Sequence, residues 1–190
     1  MGKNIIASKT YNNEDFTSAG ITGNEYENCT FSNCNFANAN LSDVVFEDCR
    51  FADCDFSMAK AGKTAFRDVR FKNCKLLGIR FDECNPFLLT FAFESCVLDY
   101  SSFCGLKIKN TVFNNCKLEE TDFTEANLSR AVFNQCDLNR AVFDNTLLEH
   151  ADFRTSFHFS IDPENNHVNK AKFSLNNIAG LLDKYDIVIE

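Results

Sequence analysis

The ten cysteines are the residues of this 190-residue chain with the greatest capacity for chemistry. Cysteines at this density can form disulfides or bind a metal. Several lie 20 residues apart, as Cys34, Cys54 and Cys74 do, and no Cys-x-x-Cys pair occurs. The absence of such a pair disfavours a zinc site. We therefore interpret the cysteines as reduced thiols that fill a core like other small apolar side chains.

Other residue patterns that could carry catalysis or cofactor binding are weak. The run Ala61–Thr64 resembles the end of a phosphate-binding loop, but Ser57 stands where that motif needs its first glycine. The three histidines, His150, His158 and His167, lie beside no plausible nucleophile in the sequence. We expect no catalytic, metal or cofactor site, and we predict that the protein is not an enzyme.

A five-residue periodicity indicates which elements position these side chains. A large aromatic or aliphatic residue returns every fifth position from Phe16 to Phe81, with Ala at 61, and again from Leu88 to Phe153 after a shift of two residues. A small residue stands two positions before most of these centres. A period of five fits neither a helix nor an ordinary strand. It predicts a solenoid in which both positions point to one packed axis.

The repeated pattern resembles that of the pentapeptide-repeat proteins. Stretches such as Cys34–Asn38, Ala126–Arg130 and Ala151–Phe153 follow its Ala/Cys-Asp/Asn-Leu/Phe-x-x form. The resemblance implies an all-β fold, a right-handed quadrilateral β-helix with 20 residues per coil. The 28 pentads counted in the sequence would then give about seven coils.

The chain divides into three predicted segments. Residues 1–154 form the solenoid, with a frame slip near 85–87, and residues 155–173 form an irregular segment with a possible final pentad. Residues 174–190 change to helical spacing and end in a β-branched run, which predicts a C-terminal helix and a short terminal strand. We expect this last segment to cap the solenoid and to form a two-fold homodimer. The candidate interface residues are Ile178, Leu181, Leu182, Tyr185, Ile187, Val188 and Ile189.

Charge is distributed unevenly along the chain, whose net charge is −8. Residues 60–80 carry seven bases and one acid and form a basic girdle, whereas residues 110–153 carry eight acids and three bases. Acids on the outside of a rod near the width of a duplex could imitate DNA. The candidate partner-binding residues are Glu119, Glu120, Asp122, Glu125, Asp137, Asp144, Glu149 and Asp152.

The C-terminal run Leu181–Ile189 is similar to the ending of the Qnr and MfpA group of pentapeptide-repeat proteins. That resemblance implies dimerisation through the C-terminus, binding to DNA gyrase or topoisomerase IV, and protection from quinolones by DNA mimicry. The alternative is a general protein-interaction scaffold with an unknown partner. The N-terminus has no apolar signal region, so we expect a cytoplasmic protein, with neither a membrane span nor direct nucleic-acid binding by the girdle.

Overall fold

The strands of the computed structural model, which describes residues 4–17, 21 and 24–188, are short and parallel. Two residues turn the chain at each corner of a coil. No strand within the described ranges is therefore longer than four residues. The strands within the described ranges are β1 Asn4–Ala7, β2 Thr10–Asn12, β3 Asn24–Glu27, β4 Thr30–Ser32, β5 Val45–Glu47, β6 Arg50–Ala52, β7 Ala65–Arg67, β8 Val69–Lys72, β9 Phe91–Glu94, β10 Val112–Asn114 and β11 Val132–Asn134. The predicted all-β solenoid is confirmed.

A left-handed residue at every fifth position makes the corners. From Asn28 to Gly78 each fifth residue has a positive φ, and most of these residues are Asn or Asp. Asn and Asp tolerate the left-handed region better than other non-glycine residues. Gly78, at φ +67°, also lacks a Cβ that would lie 2.6 Å from the sulfur of Met58 in the coil below.

Four faces run along the rod, numbered in chain order. Face 1 holds β1, β3, β5 and β7 and continues through single bridges from Lys107 to His167. Face 2 holds β2, β4, β6, β8, β9, β10 and β11, one strand per coil, and continues through single bridges to Lys172. Faces 3 and 4 are built from single bridges alone, from Asp15 to Phe157 and from Asn40 to Val142. Pairs such as Asn4↔Asn24 set the coil at 20 residues.

Aromatic rings fill the axis. Phe133 is fully buried and stacks on Phe113 at 4.9 Å and on Phe153 at 4.7 Å between ring centroids. It meets Phe123 of the opposite face 4 edge-on at 5.9 Å. Offset stacking along the axis and edge contacts across it are both favourable geometries. The prediction that these centres point inward is confirmed.

The cysteines form columns beside the rings. Six of them follow one line from coil to coil and are buried: Cys34, Cys54, Cys74, Cys96, Cys116 and Cys136. Their thiols donate to main-chain carbonyls, as Cys136 does to Phe113 O at 3.3 Å. Burial raises the pKa of Cys49, in a second column, to about 12. All ten thiols are free. Nine of them are buried and serve as small packed side chains, as interpreted from the sequence, whereas Cys104 is half-exposed.

The frame slip changes the pairing of the coils. β8 pairs with β9 at an offset of 22 residues, as Val69↔Phe91 shows. The extra residues form a bulge in which Phe87 and Leu88 are 64% and 62% exposed. The expectation that Leu88 points inward is therefore wrong. Leu88 takes a left-handed corner conformation at φ +58°, and Leu89 and Phe91 are buried instead.

The predicted C-terminal helix and strand are wrong. Residues 174–185 form turns and two 3-10 helices, Ile178–Leu181 and Asp183–Tyr185, while 186–188 form no strand. This segment caps the end of the solenoid instead. Ile161 N–H donates to Gly180 O, and the side-chain amide of Asn177 donates to Phe153 O. These contacts replace those of a regular helix. A bridge from Asp152 to Lys172 continues the coil beneath this cap.

We expect Phe133→Ala to destabilise the protein by about 3–5 kcal/mol, since it leaves a cavity between two stacked rings. Urea unfolding at neutral pH measures the change. Phe157→Ala is the matched control, because Phe157 is 42% exposed on face 3, and should cost within about 0.5 kcal/mol. Equal effects of the two substitutions would contradict a packed axis.

Candidate partner-binding surface

The eight candidate acids are distributed over all sides of the rod rather than along one face. Glu119 and Glu120 lie at the corner between faces 3 and 4, Asp122 on face 4, and Glu125 and Asp144 at the corner between faces 4 and 1. The other three are elsewhere: Asp137 on face 3, Glu149 at the corner between faces 1 and 2, and Asp152 at face 2.

Arginines neutralise two of the eight. Glu120 pairs with Arg140 at 3.3 Å and Asp152 with Arg154 at 2.8 Å. Hydrogen bonds from Arg154, opposed by burial, hold the pKa of Asp152 below its usual range. These two carboxylates have less charge to offer a partner. A third, Asp137, has a hydrogen bond with His158 Nδ1 at 2.9 Å.

Four of the remaining five form what we call the acidic side, made of Glu119, Asp122, Glu125 and Asp144. None of the four has an ion pair with a residue of the described ranges. Their hydrogen bonds come from neutral donors, as from the Asn139 amide to Glu119 at 2.9 Å and from Thr124 N–H to Asp122 at 2.9 Å. The four lie within two successive coils, so the structure brings them together on one side.

The local field on the acidic side is negative. Burial raises the pKa of Asp99, and the charges of Glu119 and Asp137 raise it further. Burial likewise raises the pKa of the Cys104 thiol, with further contributions from Asp122, Asp82 and Glu125. A site that disfavours additional negative charge favours cationic partners.

Sequence reasoning missed one member of this surface. Asp99 stands directly before Glu119 in the same corner column and accepts the Glu119 N–H at 3.0 Å. Its 20-residue distance from Glu119 is the coil length, and that spacing could have identified it.

The basic girdle encircles a single coil and is largely neutralised. Arg67 pairs with Glu47 at 2.9 Å, Lys72 with Glu94 at 2.8 Å and Lys75 with Asp55 at 4.0 Å, all between adjacent coils. Arg80 pairs with Asp82 in its own coil. Four of the seven bases are thus paired, and the girdle presents no continuous positive band.

A basic strip lies at the corner between faces 1 and 2, diagonally opposite Glu119. Lys109, Arg130, His150 and Lys170 are exposed there, and the last three follow one another coil by coil. In the structure as described, none of the four forms an ion pair. The C-terminal half of the rod is therefore acidic on one side and basic on the other.

The candidate dimer residues form an exposed apolar group on the C-terminal segment. Val188 is 86% exposed, and Ile178, Tyr185 and Ile187 are also exposed. Leu181 packs against the core and Leu182 is half-buried, whereas Ile189 lies outside the described residues. Leu175, at 88% exposure, extends the group.

An ion-pair clamp holds this segment to the rod. Lys184 Nζ lies 2.7 Å from carboxylates of both Asp162 and Glu164, and Tyr185 donates to Glu164 at 3.2 Å. Hydrogen bonds from Lys184 are the main reason that the pKa values of Asp162 and Glu164 are lowered. The segment is thus anchored while its apolar side chains remain outside.

The described ranges offer neither a metal site nor a membrane-spanning helix. They contain no group of three or more His, Cys, Asp or Glu side chains placed to hold a metal ion. No helix in them has the length and apolar character needed to cross a bilayer. Around Ala61–Thr64, Thr64 is buried and donates to Leu41 O at 2.7 Å, and strand β7 follows instead of a helix.

The comparisons with known proteins concern the family and the fold. The model of the pentapeptide repeat region matches residues 19–103 and 106–181. Two structures of trypsin-treated variants of QnrB1, described as a plasmid-mediated fluoroquinolone resistance protein, each share 17% identity with a TM-score of 0.64. The matches cover 99% of this chain and 98% and 99% of those chains.

A third similar structure is HetL of the cyanobacterium Nostoc sp. strain PCC 7120, described as involved in heterocyst differentiation regulation. It shares 14% identity at a TM-score of 0.42, over 90% of this chain and 87% of that chain. No curated protein matches the chain.

The Lys184 clamp predicts that docking of the C-terminal segment depends on pH. Because the folded-state pKa values of Asp162 and Glu164 are lowered, the clamp stabilises at neutral pH and is lost as the pH falls through those values. We expect the protection factors of the Leu182 and Tyr185 amides to fall below about pH 4. Lys184→Met should lower them at pH 7 and remove the pH dependence, while Lys170→Met should change neither. Unchanged protection in Lys184→Met, measured by NMR hydrogen exchange, would refute the clamp.

Proposed function

The chain belongs to the pentapeptide-repeat family, and from that premise we propose that it is a non-enzymatic DNA-mimicking rod. Its acidic side binds a type II topoisomerase, DNA gyrase or topoisomerase IV, and protects that enzyme from quinolones. The single observation that carries this proposal is the acidic side itself, four carboxylates in two coils with no cationic neighbour in an ion pair.

The acidic side presents its charges on a rigid support. Glu119 and Asp122 are fixed by the coil, since each lies next to a main-chain hydrogen bond to the following coil. A surface of fixed charges loses little conformational entropy on binding, in contrast to a flexible acidic tail. Duplex DNA carries about one charge per 1.7 Å of its axis, so the rod imitates a short stretch of duplex on one side.

The basic strip determines the orientation of this binding. A DNA-binding surface is basic, so it attracts the acidic side and repels Arg130 and Lys170 on the opposite corner. The rod therefore meets the enzyme along face 4 and its two corners. Electrostatic contact of this kind weakens with salt.

A two-fold dimer through the C-terminal segment is part of the proposal. Exposed apolar side chains on an anchored segment favour burial against a second copy. The dimer would place two acidic sides in one assembly and lengthen the stretch that resembles DNA. A cytoplasmic location fits both the ten free thiols and an intracellular target.

The alternative function, a general interaction scaffold, is favoured by the frame-slip bulge. Phe87 and Leu88 project there side by side, and Arg67 lies 5.8 Å from the Phe87 ring. Exposed aromatic and arginine side chains are common anchors of protein interfaces. If Phe87→Ser with Leu88→Ser abolishes partner capture while charge reversal of the acidic side does not, the scaffold function is preferred.

Charge reversal tests the acidic side. We expect Glu119→Lys with Asp122→Lys to weaken gyrase binding at least about tenfold and to abolish quinolone protection. Neither residue has an ion pair in the described ranges, so reversal leaves no cation unpaired and removes only the hydrogen bonds from the Asn139 amide and the Thr124 N–H. Glu149→Lys, at the opposite corner, is the matched control and should retain binding. The measurements are competition with DNA for gyrase and supercoiling in the presence of a quinolone. If the purified wild-type protein at large molar excess leaves quinolone inhibition unchanged, the proposal fails.

The dimer has its own test. Sedimentation equilibrium at micromolar concentration should give twice the 21.6 kDa chain mass. Ile187→Asp with Val188→Asp should give the mass of one chain, because buried carboxylates would oppose association. Ile5→Asp, also at an exposed apolar residue, should leave the dimer intact. A wild-type mass of one chain would rule the dimer out.

A further inference from the structure

A hollow of about 700 Å³ that is open to solvent lies where the C-terminal segment meets the last coils. Asp137, Asn139, Phe157 and His158 line one wall, and Asp183 lines the other. We call it the C-terminal notch. It adjoins the acidic side, because the Asn139 amide that lines it donates to Glu119.

The polar groups of the notch accept hydrogen bonds. Asp137 Oδ1 accepts from His158 Nδ1 at 2.9 Å and from Asn139 N–H at 3.2 Å. A carboxylate has no proton to donate, so His158 donates from Nδ1, and in the neutral imidazole the free Nε2 is an acceptor. Asp137 Oδ2 receives no hydrogen bond from the described residues. Asp183 forms no ion pair with them.

An aromatic side chain completes the hollow. Phe157 is 42% exposed and meets the His158 ring edge-on at 4.9 Å. Its exposed ring can pack against a planar cation.

The walls of the notch are held in place. Gly180 packs so closely that a Cβ there would lie 2.1 Å from Phe159 O. The Asn177 amide donates to Phe153 O at 3.0 Å and to Ser156 O at 2.9 Å. Phe159 is buried beneath them. The hollow is therefore formed before any ligand arrives.

We propose that the C-terminal notch binds a guanidinium group, presented by an arginine side chain. Guanidinium is planar, always charged, and carries five donors and no acceptor, which complements two carboxylates, one imidazole acceptor and one ring. An ammonium group lacks the planar shape that Phe157 and a carboxylate recognise together. The inference deepens the proposed function and rests on it for the source of the guanidinium group. An arginine of the basic enzyme surface would enter the notch beside the acidic side.

The first experiment tests the notch alone, with N-acetyl-arginine methylamide as the probe and N-acetyl-citrulline methylamide as its neutral isostere. NMR titration should show the arginine compound perturbing the Phe157 and His158 resonances, with no saturable effect of the citrulline compound. Asp183→Asn and Asp137→Asn should each weaken binding at least tenfold. Asp144→Asn is the matched control and should bind as the wild type does. Equal binding of both compounds, or no effect of Asp183→Asn, overturns the inference.

The source of the guanidinium is tested separately. If it belongs to the enzyme, Asp183→Asn should weaken gyrase binding, and millimolar N-acetyl-arginine methylamide should compete with gyrase. If the compound binds but gyrase binding is unaffected, the site stands as one for free arginine or another arginine-bearing partner, and the enzyme as source is excluded. If gyrase is protected but the compound does not bind, the inference fails and the proposed function stands.

Discussion

The closure of each coil on the next is the constraint from which the other features follow. Strands and bridges pair with residues 20 or 22 positions away, so most backbone hydrogen bonds of one coil are formed with its neighbours, and the rest close the corners within the coil. The same closure brings Phe113, Phe133 and Phe153 into one stack and the cysteines into columns. A change of the core at one coil therefore acts on the coils on both sides.

Surface charge obeys the same geometry. Because residues one coil apart lie side by side, the charge of a column, rather than of a sequence run, decides the local field. The seven bases of residues 60–80 are close together in the sequence. In the structure, however, Arg67, Lys72 and Lys75 form ion pairs with acids of adjacent coils. By contrast, Glu119 and Asp122 belong to a run of mixed composition, yet neither forms an ion pair with a residue of the described ranges. The acidic side and the basic strip arise from this column rule.

Much of the fold could be predicted from the sequence, because periodicity is a local signal that a solenoid repeats many times. Phe133 and Cys136 are buried where their position in the pentad requires. Prediction failed where the repeat is interrupted. Leu88 keeps the five-residue spacing of the sequence, but the two extra residues place it on a corner. The segment after Ser174 has helical spacing, but it caps the end of the solenoid through hydrogen bonds of Asn177 instead of forming a regular helix.

The candidate site was less accessible from the sequence. The eight candidate acids could be named from the composition of the sequence. Which of them share the acidic side, and that Glu149 and Asp152 do not, depends on the corner or face that each residue occupies in its coil. The C-terminal notch could not be predicted, because Asp137 and Asp183 are 46 residues apart and are brought to one hollow only by the fold of the cap.

The frame-slip bulge has a consequence for how such a chain can change. The coils on either side of it pair in parallel as the others do, and Phe71 still stacks on Phe93 at 5.4 Å. Extra residues at this corner thus interrupt the ladder of face 1, which ends at β7 and resumes at Lys107, but leave the pairing of face 2 intact. The bulge is a permissive insertion point, at which evolution or an engineer can graft a longer peptide while the scaffold on both sides keeps its shape.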